Sequence, residues 1–328
     1  MAARSIIVPI ILALFISIIF AQPIVWLEKK KIPWGLGTII VLLSAGLVFP
    51  VLGGIIGDSI SKFISDAPKY EERLQDVFVE SIEGLNQLGA NINAEQILKE
   101  TDPGKIMTFA AGAAGEIGKV VKGTALVIVI SIFMLFGAKN FLYKTELIEK
   151  IHSIPLLTSF DTIGTSVRHY LSIKSVISLI TGILVWLLLI ILGVEYAILW
   201  GVIAFLFNYI PSIGSPIAAI PAILLALIQL GVGSMVWTAV GYVVINVVMG
   251  NIIEPKVLGK GMGLSTLVVF LSLIIWGFIL GIVGMFLAIP LTIAIKIMLE
   301  EKEGTRWLAV LLGTEDEARQ MLKQQKEW

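Results

Sequence analysis

The stretch Asn208-Tyr209-Ile210-Pro211-Ser212-Ile213-Gly214-Ser215-Pro216 interrupts a nearly charge-free apolar tract that runs from Ser175 to Ile253. Two prolines, a glycine and several hydrogen-bonding side chains stand where the flanking residues would face lipid. Proline removes a backbone donor and turns the preceding residue away from helix. Freed backbone groups cannot face hydrocarbon, so a break at that depth must be buried in protein or line a wet cavity. Transporters with discontinuous helices put such groups to use. The stretch therefore predicts the tip of a hairpin beside a solute pathway. A plain loop between two spans is the alternative, because the same residues form ordinary turns.

Composition supports a membrane setting. Mean hydropathy is +0.95 and only 15% of residues are charged, whereas a soluble domain carries about 25%. Long apolar runs, instead of short alternating segments, argue for helices over a transmembrane barrel. Formal net charge is zero, which gives no reason to expect a nucleic-acid partner. The chain has no cysteine, so disulfides, thiol nucleophiles and thiolate metal sites are excluded. His152 and His169 are too sparse for a histidine metal site, and no nucleotide loop or nucleophile–base set is visible. Neither an enzyme nor a cofactor is expected. The first apolar run lacks a small-residue cleavage site and reads as a span, not a leader.

Outward from the break, the chain divides into five regions. Residues 1–57 form two scaffold spans joined by the basic loop Glu28-Lys29-Lys30-Lys31, which the positive-inside rule places in the cytoplasm. Residues 58–123 form an amphipathic excursion outside, with Asp66-Ala67-Pro68 as a helix start and Tyr70, Leu74, Val77, Phe78, Ile82, Leu85 and Leu88 on one face. Gly89 would end that helix, and Asn93 with Gln96 would cap the next. Residues 124–174 hold a third span and short interfacial helices, with Arg168 and Lys174 near the membrane surface. Residues 175–299 form a core with two helical hairpins, and 300–328 a cytoplasmic tail.

Within the core, a long span from Ser175 to Gly193 precedes two arms, Tyr196 to Phe207 and Ile217 to Leu230, each too short to cross a bilayer. A second long span, Met235 to Ile253, precedes a second arm pair joined near Gly281 to Gly284. The lysines after each unit give the two copies opposite orientations. The expected fold is an all-α polytopic membrane protein, an inverted repeat of long span plus re-entrant hairpin. Leu199-Trp200-Gly201 matches Ile275-Trp276-Gly277, and Ala219-Ile220-Pro221 matches Ala288-Ile289-Pro290.

Asn208, Pro211, Ser212, Gly214, Ser215, Asn246, Asn251, Ser265 and Thr266 are the candidate solute-binding residues near the proposed tips. The polar side chains suit a neutral, hydroxylated solute, although asparagine and serine also tie helices together. Proline and glycine would hold the break open. Glu254 is the candidate coupling residue for a proton or sodium ion, with an interfacial pair to Lys256 or Lys260 as the competing reading.

The segments Asn208-Tyr209-Ile210-Pro211-Ser212-Ile213-Gly214, Gly250-Asn251-Ile252-Ile253-Glu254-Pro255-Lys256 and Gly263-Leu264-Ser265-Thr266-Leu267-Val268-Val269-Phe270-Leu271-Ser272-Leu273 resemble the hallmarks of the autoinducer-2 exporter family of permeases. The resemblance covers nearly the whole chain. It implies a secondary transporter of the bacterial cytoplasmic membrane that exports a small polar solute. It also implies a homo-oligomer, with a pentamer the form it suggests, and hairpins that move relative to the amino-terminal spans. That family pattern has one more apolar helix ahead of the one starting near Ser5. Because some relatives are reported as sodium or lithium/proton antiporters, an antiporter is the alternative. A non-transporting membrane scaffold is a third.

Overall fold

The structure, a computed structural model, describes residues 2–87, 104–152, 156–258 and 263–326. Among these residues every regular element is helical. Helix α1 is Ala2–Lys29, α2 is Trp34–Gln87 and α3 is Gly104–His152. Helix α4 is Leu156–Leu192. Hairpin 1 consists of α5 (Ala197–Phe207) and α6 (Gly214–Leu230). Helix α7, Val232–Asn246, passes into a π-helix at Val247–Ile253 and then α8, Glu254–Leu258. Hairpin 2 consists of α9 (Thr266–Leu280) and α10 (Ile282–Glu300). The tail folds as α11 (Arg306–Leu312) and α12 (Glu315–Lys326). Among the described residues, five helices are long and apolar enough to cross a membrane: Ile6–Lys29, Trp34–Tyr70, Thr162–Leu192, Val232–Leu258 and Ile282–Glu300. The described residues form an all-α, multi-pass membrane fold.

Helices α1, α2 and α3 form the scaffold. Serines tie α1 to α3 where the backbones approach. The Ser131 hydroxyl lies 3.2 Å from the Ala13 carbonyl and Ser17 lies 3.3 Å from that of Ser131. Such bonds between membrane helices contribute about 0.6 kcal/mol each. The Trp34 indole donates to Leu135 O at 3.4 Å, locking the start of α2 against α3.

Helix α2 departs from the expected break at Asp66-Ala67-Pro68. It continues through Pro68 as one helix of 54 residues, about 80 Å long. Proline removes one helical hydrogen bond, but packing outweighs that cost here. Ile60 and Phe63 are buried in the same apolar core as Leu199, Trp200 and Leu225 of hairpin 1, with Tyr70 packed against it. Asp66 is therefore not a cap, and its carboxylate accepts from Tyr196. The expected caps at Gly89, Asn93 and Gln96 lie outside the described residues.

A second departure concerns the interfacial helices expected before Ser175. Residues 156–192 form one continuous helix, so Lys174 sits inside a membrane-length segment instead of at its surface, and it is only 3% exposed. Val167 and Leu171 on α4 pack with Phe15 of α1 and with Val283, Leu287 and Ile293 of α10. Helix α4 thus joins scaffold, hairpin 1 and hairpin 2.

The hairpins differ in their turns. Six residues, 208–213, connect α5 to α6, whereas Gly281 alone connects α9 to α10. Gly281 has φ 70°, a left-handed conformation that favours glycine.

Candidate functional site

The site forms along one face of α4, where residues three or four apart share a side. Lys174, Ser175, Ser178 and Gly182 follow that spacing, and each meets a different part of the core. Gly182 and Gly201 of α5 face each other so closely that a Cβ on Gly182 would lie 2.8 Å from the Gly201 carbonyl. This small-residue contact lets α5 approach α4 at backbone distance. It brings the hairpin 1 tip down onto the polar positions. Asn208 Nδ2 donates to Ser178 Oγ at 3.0 Å, and the Tyr209 hydroxyl donates to Ser175 Oγ at 2.7 Å. Ser215 Oγ lies 3.4 Å from Asn208 Oδ1, which links both sides of the turn.

The turn itself is tight. A Cβ on Gly214 would fall 1.8 Å from the Phe207 carbonyl oxygen, so only glycine fits there. Ser212 adopts a left-handed φ of 61° and is exposed. Pro211 is half-buried beside it. Phe207 meets Phe286 of hairpin 2 edge to face, with ring centres 6.3 Å apart. Ile210 is buried with Leu273 and Ala288. The first hairpin's tip therefore rests on the body of the second. There Trp276 Nε1 donates to Thr292 Oγ1 at 3.1 Å, and Thr292 lies 2.9 Å from Ser272 Oγ. Gly284 repeats the tight approach of Gly214, its Cβ position lying 1.9 Å from the Trp276 carbonyl.

Glu254 has a partner the sequence did not suggest. The Lys174 ammonium donates to both carboxylate oxygens, at 2.6 and 2.8 Å. Lys256 is exposed and Lys260 lies outside the described residues; among these, the partner of Glu254 is across the core. The physical reason is geometric. The π-helix inserts an extra residue per turn just before Glu254 and rotates it toward α4. One turn before Lys174, the Tyr170 hydroxyl is buried without a hydrogen bond, within electrostatic reach of Glu254 and Tyr209. Asn246 is half-buried at the start of the π-helix and Asn251 is exposed within it.

Ser265 and Thr266 lie elsewhere. Ser265 caps α9, accepting from Val268 N at 3.3 Å, and its own N–H donates to Leu312 O at 3.1 Å. They stand at the opposite end of α9 from Gly281, away from Asn208 and Ser215. The structure thus joins Asn208, Pro211, Ser212, Gly214 and Ser215 at one tip. It adds Lys174, Ser175, Ser178 and Tyr209, which sequence reasoning missed. The serine spacing on α4 was a legible signal, but the Lys174–Glu254 pair, 80 residues apart, was not.

A second polar cluster fastens α2 to the base of hairpin 1. Tyr196 donates to Asp66 Oδ2 at 2.5 Å, Tyr70 donates to Glu195, and Gln229 Nε2 donates to the Tyr70 hydroxyl at 3.3 Å. Burial first, then the bonds to Asp66 and Tyr70, push the Tyr196 phenol above its ordinary pKa. Among the described residues, no three histidine, aspartate or glutamate side chains converge as metal ligands.

Comparison with known proteins supplies a family context. The model of the family described as AI-2E family transporter matches residues 1–304. A protein of Haemophilus influenzae, named only as a candidate transport protein, is 41% identical over 319 residues, spanning 95% of this chain and 91% of the relative. YhhT of Escherichia coli K12, also a candidate transport protein by name, is 35% identical over 315 residues, 95% of this chain and 89% of its own. From the same organism, TqsA, named an AI-2 transport protein, is 36% identical over 311 residues, 95% of this chain and 90% of its own.

Proposed function

This chain belongs to the AI-2E transporter family, and from that premise we propose that it exports a small polar solute of the autoinducer-2 kind from the cytoplasm. Its being a transporter follows from the family; solute, direction and site are our reading. The observation that carries it is the Asn208–Ser178 contact, where the tip of a broken helix meets a polar face of α4 while resting on hairpin 2. Hydroxyl and amide groups at such a junction can exchange partners with a hydroxylated solute at little cost, since each lost bond is replaced. Hairpin 1 would enter the membrane from outside and hairpin 2 from the cytoplasm. Movement of the Asn208 tip off Ser178 would open the route, with Ser212 and Ser215 meeting the solute. Gly214 and Pro211 shape the turn. Asn246, at the end of α7, and Asn251, within the π-helix, would offer further amide groups to the solute. Ser265 and Thr266 take a supporting role at the base of hairpin 2. Copies of the chain would associate through the scaffold helices as a homo-oligomer.

The antiporter reading is weakened by one feature. Glu254 is already neutralised by an ammonium within hydrogen-bond distance of both oxygens, so a sodium ion would have to displace Lys174. Coupling, if a cation provides it, belongs to the Lys174–Glu254 pair together.

The test is flux of labelled autoinducer-2 in proteoliposomes for the unaltered protein, Asn208→Ala and Ser178→Ala, with and without sodium and proton gradients. Export that falls in both variants supports the tip as the solute site. Unchanged flux in both would remove Asn208 from the pathway. Absence of flux in the unaltered protein, alongside sodium-driven pH changes, would favour the antiporter.

A further inference from the structure

Two cavities open where the base of hairpin 2 meets the tail. The larger, about 380 Å³, has Thr165, Ser166, His169 and Tyr170 of α4 as one wall. The smaller, about 190 Å³, lies between α10 and the tail helices α11 and α12. Lys296, Glu300 and Glu317 line both, so this one group of side chains forms the partition between them.

Lys296 belongs to the apolar helix α10 and is 8% exposed. An ammonium so placed needs acceptors, because an unmatched charge at that depth is costly. Its Nζ donates to Gly263 O at 2.6 Å and to Glu317 Oε2 at 2.7 Å, with Glu300 at 3.5 Å. The tail supplies Glu317 through a capping box. The Thr314 hydroxyl and the Glu317 N–H are 3.4 Å apart, and Thr314 N–H reaches back to Glu317 at 3.4 Å. Leu312 accepts from Ser265 N–H, and Ala309 is fully buried beneath the same helices. The contacts join the family-matched Gly263 and Lys296 to tail residues after 304.

The inner wall of the larger cavity is Tyr170. Its hydroxyl is buried, unpartnered, and within electrostatic reach of Glu254 and Tyr209. Tyr170 lines the cavity one helical turn before Lys174, so the cavity abuts the polar seam of α4.

We infer that the larger cavity is the cytoplasmic vestibule by which solute reaches that seam, and that α12 is its lid, bolted by Lys296 and Glu317. What passes through it rests on the proposed export function. Lys296 is shared between Glu300 and Glu317, so the lining holds one more carboxylate than ammonium, and the hydroxyls of Thr165 and Ser166 and the His169 imidazole are left to meet the solute. That lining disfavours an anion and suits a hydroxylated molecule without negative charge. With the bolt closed, the partition keeps the two cavities apart; with it open, they merge and the mouth faces the cytoplasm.

Because the chain lacks cysteine, a single thiol can report on the lid. Ser166→Cys is introduced into the full chain, and its reaction with a membrane-impermeant maleimide is timed in inverted membrane vesicles. The same thiol is then timed with Glu317→Gln and in a chain ending at Gly304. Labelling is expected to quicken several-fold in both backgrounds, because each removes the Glu317 contact that holds α12 against Lys296. Equal rates in all three overturn the lid. Thiol labelling does not depend on what is transported, so the proposed function is judged separately by flux. Faster labelling with no autoinducer-2 export in any variant leaves the lid standing and refutes the solute.

Discussion

Lys174→Met should destabilise this protein far more than Lys174→Met combined with Glu254→Gln. The two side chains are 4% and 15% exposed, and their closest atoms are 2.6 Å apart. At an effective dielectric constant of about 20, charges at that distance attract by about 6 kcal/mol. Taking both from water costs several kcal/mol per ion, so the intact pair contributes little net stability. Removing one partner is different, because the remaining charge keeps its desolvation cost and loses its compensation. Each single substitution should therefore cost about 3–5 kcal/mol, toward the lower end because Glu254 keeps some access to solvent. The double substitution should recover most of that loss. Equilibrium unfolding in mixed detergent with rising SDS, followed by helical circular dichroism, measures all four corners of the cycle. A coupling energy below about 0.5 kcal/mol, the scatter of independent sites, would refute the argument that the pair is buried and matched. Flux adds a second reading. A double variant that regains stability without regaining export assigns the pair a part in transport, whereas recovery of both makes it structural.

Gly214→Ala and Gly284→Ala each force a methyl group into a carbonyl oxygen, at 1.8 and 1.9 Å respectively; both should abolish export, with Gly214→Ala also lowering thermal stability in detergent. Ser178→Ala leaves Asn208 short of one acceptor in a buried site and should cost about 1–2 kcal/mol, read as a lowered unfolding midpoint. Gly201→Leu should push α5 from α4 and disrupt the tip, visible as new labelling of an Asn208→Cys thiol by a maleimide that spares it in the unaltered background. Tyr196→Phe removes the bond to Asp66. Because the Tyr196 phenol titrates above its ordinary value, the stability from that contact is complete below about pH 10, the unfolded value, and is lost as pH rises through the folded one. Thermal melts of the unaltered protein should therefore decline above that pH more steeply than those of Tyr196→Phe.

How much of this was legible in the sequence can be judged at three places. The break at Asn208 to Pro216 was, since proline, glycine and short polar residues in an apolar tract have few other uses. Its first boundary, Phe207, matches the observed arm, whereas the second arm begins at Gly214, three residues before the expected Ile217. The continuity of α2 through Pro68 was not, because the proline signal is local and the buried contacts of Phe63 with Tyr196 and Trp200 are not. At the site, the sequence placed Asn208, Pro211, Ser212, Gly214 and Ser215 in one turn, but their partners on α4 came only with the fold.

Sequence by itself determined the class of protein, the order of long and short apolar segments, and the position of the interruption. These follow from composition and chain length, which act residue by residue against the fixed thickness of a bilayer. Tertiary structure alone decided what the interruption touches. Asn208 reaches Ser178 because two glycines let α4 and α5 approach, Lys174 reaches Glu254 because a π-helix turns the acid inward, and Lys296 reaches Glu317 because the tail folds back. Each pairing depends on helix rotation and separation, set by packing among residues far apart in the chain, and no local pattern encodes it.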